Sequence, residues 1–361
     1  MRIAYVINSV EGGGAAMPVP AVTRVLRDAG AEVRVFALAR RDGRALPAMA
    51  AAGLEVDVRD GGPRDHGAAY RWLSGKVRDW QPTHIWTSLT RATLLGQLVG
   101  ARRRVPVISW QHAAFLKPWN RRLLRMSQGL ADLWVGDSEC VTALTAERLG
   151  VPAERLTCWP IFAADPAAPQ ARGWQPGETI RVGSLGRFHT VKGYDILLAA
   201  LARLKADGFA PPVPFEVLIG GDGAHREALE AEAKAAGITE FRPIGFVERP
   251  RDFLAGLHLY VQPSRSEGLC VAMHEAMQAG LGVIASAVGE MPYTIEPGIS
   301  GLVVPKADPD ALARALAEML SNPEQLAVYG ANARARVLSR FGQDAFAARG
   351  RAIVERIGAF R

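Results

Sequence analysis

Short apolar, β-branched runs alternate with longer helical stretches along this chain, and the alternation runs through twice. In the first pass, residues 2–8 read as a strand, the glycines at 12–14 as a loop and 21–29 as a helix stopped by Gly30. Strands follow at 32–37, 83–87, 106–110 and 133–136, with helices at 92–100 and 138–149. In the second pass, strands at 180–185, 215–220, 241–244, 257–262 and 283–285 alternate with helices at 193–205, 225–236, 250–255 and 271–279. Strands covered by helices on both faces belong to parallel sheets, so the pattern predicts an α/β fold built from two doubly wound, Rossmann-like units.

Between the two passes, residues 163–179 hold three prolines, two glycines and few large apolar side chains, the composition of an interdomain linker. The predicted organisation is a first domain over 1–165, a linker over 166–179 and a second domain over 180–342. The C-terminal stretch 343–361, with a helix near 343–357, is expected to pack back on the first domain. A length of 361 residues suits two domains better than one. With 49% hydrophobic and 22% charged residues, the chain can bury enough surface to exclude disorder. Apolar stretches such as 94–101 fall short of the ~20 residues that a membrane span needs. The first residues read as a strand rather than a signal peptide. Cys140, Cys158 and Cys270 are too scattered for a metal knuckle or a disulfide framework. These features together predict a cytoplasmic protein.

The formal charge of +7 is unevenly placed. Residues 1–165 carry 22 Lys+Arg against 15 Asp+Glu, and the remainder is balanced at 21 of each. Between Trp80 and Ala131, Arg91, Arg102, Arg103, Arg104, Lys117, Arg121, Arg122 and Arg125 meet no acidic residue. Such a field attracts phosphate or anionic lipid. Residues 115–126 interleave Phe115, Leu116, Trp119, Leu123, Leu124 and Met126 with these cations. That pattern fits either a helix lying on a membrane surface or a solvated basic helix whose apolar residues face the core. No nucleic-acid-binding motif accompanies the patch, so nucleic acid is not expected as a partner.

Four places carry chemistry. Gly12, Gly13 and Gly14 follow the first strand, where glycine lets backbone approach a ligand or simply makes a turn. The full Gly-x-Gly-x-x-Gly dinucleotide pattern is missing, which disfavours a nicotinamide dehydrogenase. Arg187 and Lys192 lie between an apolar strand and a helix, at the carboxyl end of a parallel sheet, where ligands bind in this architecture. Two cations there suit a diphosphate, and a helix start is otherwise a poor place for them. In 263–277, Pro263 ends a strand, Glu267 and Gly268 sit on a loop, and Leu269 is expected to open a helix carrying Glu275 about two turns in. A carboxylate on an otherwise apolar helix is costly unless it is paired. Two carboxylates flanking a helix start can grip hydroxyls at both ends of a sugar–diphosphate–nucleoside; alternatively Glu267 is a cap and Glu275 a solvated edge residue. His112 follows the strand 106–110, again at a carboxyl end. Asp308-Pro309-Asp310 mimics a metal motif but precedes a helix with proline in its first turn, so it reads as a cap, and no metal site is expected.

Together these residues resemble the family-4 retaining glycosyltransferases of the GT-B fold over nearly the whole chain, most strongly from 180 to 305. The resemblance implies two domains facing each other across a cleft. It implies that Arg187 and Lys192 hold the diphosphate of a nucleotide-sugar donor, a UDP- or GDP-sugar. Glu267 would meet the donor sugar and Glu275 the ribose, with backbone at Gly268 and Leu269 meeting phosphates. Gly13 and Gly14 would lie near the diphosphate and acceptor, His112 in the active site, and Phe246 and Val247 along the base. Catalytic roles fall to His112, Glu267, Arg187 and Lys192. The chain departs from the family at 289–293, where Glu290 and Tyr293 bring a charge and a phenol close to the donor region. Pro18 and Pro20 shorten the helix after the glycine loop.

The implied reaction is hexosyl transfer with retention, by front-face attack and without metal or other cofactor, since the nucleotide-sugar is a co-substrate. The basic first half points to a lipid-linked or envelope-glycan acceptor, with the protein peripheral on the inner membrane surface through residues 91–125. Two alternatives share the donor-binding plan: a nucleotide-sugar epimerase and a non-catalytic nucleotide-sugar-binding subunit.

Overall fold

The computed structural model describes residues 1–62, 64–112 and 115–360. The chain divides into two compact units, one from Met1 to Ala163 together with the segment from Gln343 onward, the other from Ala164 to Gly342.

The first unit is built on a parallel sheet: β1 (Arg2–Ile7), β2 (Glu32–Ala37), β3 (Glu55–Val58), β4 (His84–Ser88), β5 (Val107–Gln111), β6 (Leu133–Gly136) and β7 (Leu156–Cys158). The strand order is β3-β2-β1-β4-β5-β6-β7. Every residue of β4, β5 and β6 is buried, which explains why these runs lack a polar alternation. Beneath the sheet Trp110 and Trp159 stack at 5.0 Å, with Trp86 edge-on to both. The helix Gln343–Ile357 closes this aromatic core: Trp159 Nε1 donates to the Phe346 carbonyl at 3.0 Å, and the Phe346 ring lies 5.2 Å from that of Trp159.

The second unit has β8 (Ile180–Leu185), β9 (Phe215–Gly220), β10 (Phe241–Gly245), β11 (Leu259–Gln262), β12 (Gly282–Ser286) and β13 (Gly301–Val304), again all parallel, in the order β10-β9-β8-β11-β12-β13. In each unit the order reverses once, between β1 and β4 and between β8 and β11. Loops leaving the carboxyl ends of such a strand pair diverge and leave a crevice. The glycine loop and the turn into the helix Thr90–Arg103 flank the first switch point. The loops 186–193 and 263–270 flank the second.

Several expectations shift. The stretch 166–179 is part of the second unit rather than a free linker. The Trp174 ring packs against that unit's core, its Nε1 donates to the Glu178 carbonyl at 2.8 Å, and Ala171 N donates to Ala279 O at 2.7 Å. The first helix runs Val19–Asp28, because proline is tolerated in a first turn, where its missing N–H has no partner to lose. Strand β3 and the helices His66–Trp80 and Leu326–Phe341 were not anticipated. The helix carrying Glu275 spans Val271–Gln278, beginning where the strand–helix alternation placed it and two residues after Leu269, where the motif was expected to open it. Cys270 sits in the left-handed region at φ 67°, which turns the chain before the helix begins and makes Glu275 its fifth residue. Asp308 does cap its helix, accepting from Ala311 N at 2.8 Å. None of the three cysteines is in a disulfide. Among the described residues no helix is long and apolar enough to cross a membrane.

Candidate functional site

In the second unit, the loops after β8 and β11 are drawn together by one glycine. Gly193 has φ +69°, and a Cβ there would lie 2.0 Å from the Pro263 carbonyl oxygen. This contact brings Lys192 within reach of Glu267: Nζ donates to Oε1 at 2.7 Å, with the two side chains 22% and 12% exposed. Burial alone would favour the neutral amine, but its surroundings, the charge and hydrogen bond of Glu267 foremost, together outweigh burial, and the net shift of Lys192 is upward, so it stays charged. Arg187, on the same loop as Lys192, is exposed and has no ion pair among the described residues. Arg265, by contrast, is committed: it grips Asp195 with two hydrogen bonds of 2.6 Å and pins the loop.

Glu267 is further held by residues the sequence reading passed over. Ser264 Oγ donates to Oε1 at 2.6 Å, and Gln262 Nε2 lies 3.5 Å from the same oxygen. The one available signal was the polar alternation Tyr260, Gln262, Ser264 running out of a central, buried strand. Behind the loop, Gly289 takes φ +60°, where a Cβ would meet the Gly268 carbonyl oxygen at 2.3 Å, and Glu290 N donates to that oxygen at 2.9 Å. Glu290 therefore supports the loop through its backbone while its buried carboxylate pairs with Arg340. The expectation that its charge enters the donor region is corrected. Tyr293 is exposed, and its carbonyl accepts from the same arginine.

Glu275 is half-buried, and its carboxylate makes no hydrogen bond or ion pair among the described residues. Burial pushes its pKa up to about 7, with Arg251 pulling weakly the other way. Leu269 is buried, Gly268 partly so. Phe246 is exposed beyond the carboxyl end of β10, and Val247 lies close against Gly220 at the end of β9. The second unit thus gathers Arg187, Lys192, Phe246, Val247, Glu267, Gly268, Leu269 and Glu275 at the carboxyl edge or first helical turns of one sheet.

The first unit holds Gly13, Gly14 and His112. The Gly13 carbonyl accepts from Ala16 N and Met17 N at 3.2 and 3.1 Å. Neither Gly13 nor Gly14 has positive φ, and a Cβ on either would meet nothing within 4 Å, so the chain's own packing does not demand glycine there. His112 follows β5. Its Nε2 is 2.7 Å from Ser88 Oγ at the end of β4, and its Nδ1 is 3.4 Å from Asp137 Oδ2 after β6. Residues 113 and 114 lie outside the described set.

The basic segment resolves into two parts. Arg91 is spent on Asp65, at 2.7 Å, a carboxylate it shares with Arg59, and Arg103 donates to Ser74 Oγ. Eight unopposed bases is therefore an overcount. Lys117, Arg121, Arg122 and Arg125 are exposed. On the helix Pro118–Ser127 only Leu124 is buried; Phe115, Trp119 and Met126 are 59%, 65% and 75% exposed. A core-facing apolar stripe is ruled out for these residues.

Residues 12–162 match the profile Glycosyltransferase Family 4, and residues 170–336 match Glycosyl transferases group 1. A D-inositol 3-phosphate glycosyltransferase of Thermobispora bispora is 28% identical over 94% of this chain and 89% of its own. A phosphatidyl-myo-inositol mannosyltransferase of Mycolicibacterium smegmatis is also 28% identical, over 90% and 86%. Among solved structures, Anabaena Alr3699/HepE in complex with UDP-glucose superposes with a TM-score of 0.84 at 19% identity, covering 99% of this chain and 100% of that one. The fold class is GT-B: two parallel-sheet α/β domains, each of the kind that such neighbours share.

Proposed function

Since the chain belongs to the glycosyltransferases of family 4 and group 1, we propose that it transfers a hexosyl group from a UDP- or GDP-sugar with retention at the anomeric carbon. The observation that carries this reading is the cluster at the second switch point. Lys192 is held charged against Glu267, Arg187 on the same loop has no ion pair among the described residues, and Glu275, whose carboxylate likewise has no partner among them, lies on the helix that follows the Glu267 loop.

In this reading Arg187, Lys192 and backbone N–H groups at Gly268 and Leu269 stabilise the charge that grows on the departing diphosphate. Protein cations and amide dipoles fixed beforehand do this without a metal ion. Glu267 meets hydroxyls of the donor sugar, Glu275 meets the ribose diol, and Phe246 and Val247 flank the base. His112, oriented by Ser88 and Asp137, together with the open backbone at Gly13 and Gly14, serves the sugar and the acceptor. Attack is on the front face, with the leaving phosphate helping to take the acceptor's proton.

The exposed cationic and aromatic helix Pro118–Ser127 supports a lipid-linked or envelope-glycan acceptor, met by a protein peripheral on an anionic membrane surface. The names of the two curated relatives, which point to inositol phosphate and phosphatidyl-inositol, agree with an anionic or lipid acceptor.

Thermal-shift titration with UDP- and GDP-sugars, with and without a chelator, tests the reading. Ligand at about 100 times its Kd stabilises a fold by about 2.7 kcal/mol, enough to move the midpoint by several degrees. Stabilisation that survives the chelator, followed by a product of unchanged anomeric configuration, is expected. No stabilisation by any nucleotide-sugar, or stabilisation that the chelator abolishes, overturns it.

A further inference from the structure

We propose that Ser264, aligned by Gln262 and Tyr260, is a positioning residue that occupies Oε1 of Glu267 and so presents Oε2 to the donor sugar. The inference rests on the donor role assigned to Glu267 above and concerns how that carboxylate is aimed.

Tyr260 and Gln262 alternate along β11 and Ser264 continues the period just past its end, so all three share one side of the strand. All three are fully buried. A central strand of a parallel sheet normally carries apolar residues at such positions, because buried polar groups are costly unless every one finds a partner. Here each does, and the hydrogen bonds run one way. Tyr260 Oη accepts from Leu185 N at 3.1 Å and donates to Gln262 Oε1 at 2.8 Å. That bond fixes the orientation of the Gln262 amide, whose Nε2 donates to Ser264 Oγ at 2.8 Å. Having accepted there, Ser264 has one proton left to give, and it goes to Glu267 Oε1 at 2.6 Å.

Lys192 donates to the same oxygen. Oε1 is therefore saturated by two strong donors and a third at 3.5 Å, while Oε2 has no hydrogen bond among the described residues. The two oxygens of an ionised carboxylate are equivalent, so the chain does not choose between them: it anchors one, fixes the plane of the group and leaves the other turned outward. Successive hydrogen bonds polarise each other toward the charged end.

The test compares sugar-dependent binding with nucleotide binding. Affinities of UDP-glucose and UDP, and of GDP-mannose and GDP, are measured by calorimetry for the wild type, Ser264→Ala, Ser264→Thr and Tyr260→Phe. For whichever pair the wild type binds, Ser264→Ala should weaken the nucleotide-sugar by about tenfold, the effect of losing a hydrogen bond to a charged group. The nucleoside diphosphate lacks the sugar that Glu267 is proposed to meet, and its affinity should change far less. Ser264→Thr restores the hydroxyl and should restore binding. Tyr260→Phe removes the donor to Gln262, and with it the acceptor for Leu185 N, and should show a smaller loss in the same direction, which keeps the test open if Ser264→Ala folds poorly. A merely structural role would weaken both ligands alike or neither, and that result overturns the inference. If the wild type binds neither pair, the donor reading fails and this inference falls with it.

Discussion

Lys192 and Glu267, 75 residues apart in the chain, meet at 2.7 Å because a glycine lets one loop press against the other. The pair lies at the switch point of the second sheet, where both loops leave carboxyl ends of neighbouring strands. With both side chains largely enclosed, removing either partner strands the other in a poor solvent for charge. Lys192→Met should cost up to about 3 kcal/mol of stability in urea unfolding, and a double-mutant cycle with Glu267→Gln should recover part of that cost as coupling. Turnover should fall by about 10²–10³ if the lysine also stabilises the departing diphosphate. Stability and turnover both left unchanged would show that the pair matters to neither.

The contact that assembles this pair makes its own prediction. At Gly193 a Cβ would overlap the Pro263 carbonyl, and the positive φ disfavours any L side chain. Gly193→Ala should destabilise the chain by more than about 1 kcal/mol and separate the two loops. Donor binding should therefore weaken even under conditions where the variant remains folded. Gly208→Ala is the control: it also has positive φ, +70°, but no neighbour within 4 Å of a Cβ. Equal effects of the two substitutions on donor affinity would remove the close approach as the cause.

Much of this arrangement was readable from residue order. Buried parallel strands announce themselves as short, mostly apolar runs rich in β-branched residues between turn signals, so β8, β9 and the strands around His112 were evident even though Arg181 and Glu216 interrupt two of them. The cations Arg187 and Lys192 stand out at a helix start, where the backbone dipole gives no reason for them. What escaped was set by contacts distant in sequence. The edge strand β3 reads Glu-Val-Asp-Val, with half-exposed polar positions in place of a buried run. The left-handed turn at Cys270 could not be foreseen from a cysteine, a residue that seldom adopts it. The inward pairing of Glu290 depends on Arg340, fifty residues on, and the commitment of Arg91 depends on Asp65. Local pattern tells which residues are charged, and only the fold tells which charges remain unspent.

Glu275 predicts a pH signature. Burial disfavours its carboxylate, so the folded chain holds the proton up to about 7 while the unfolded chain releases it near 4.5. Between these values the folded state carries more protons, and stability falls as pH rises through the window, by up to about 1.4 kcal/mol per unit. Glu275→Gln should flatten this slope and leave the protein more stable than the wild type above pH 7. Ribose hydroxyls that donate to the carboxylate would favour its charged form. Nucleotide binding near pH 7 should then release a proton, seen as a binding heat that varies with the buffer's ionisation enthalpy. Parallel pH profiles of the wild type and the variant would show that Glu275 does not titrate as described.

The helix Pro118–Ser127 supplies the last prediction. It leaves Trp119 and Met126 in solvent, with Phe115 just before it, beside Lys117, Arg121, Arg122 and Arg125, and its one buried side chain, Leu124, anchors it to the first unit. Large apolar side chains in water are unfavourable, and interleaved cations add attraction to anionic headgroups of about 1 kcal/mol each near the surface. Vesicles rich in phosphatidylglycerol should retain the wild type at low salt, and vesicles of phosphatidylcholine should not. Replacing Arg121, Arg122 and Arg125 together by glutamate should reduce retention by about 100-fold or more, since three favourable charges are lost. Trp119→Ser should weaken binding through lost insertion, with a deficit that added salt does not change. All four side chains are exposed, so thermal midpoints should hardly move. If the wild type floats with neither kind of vesicle, the surface is not a membrane-binding one, and a water-soluble anionic acceptor becomes the better account of its charge.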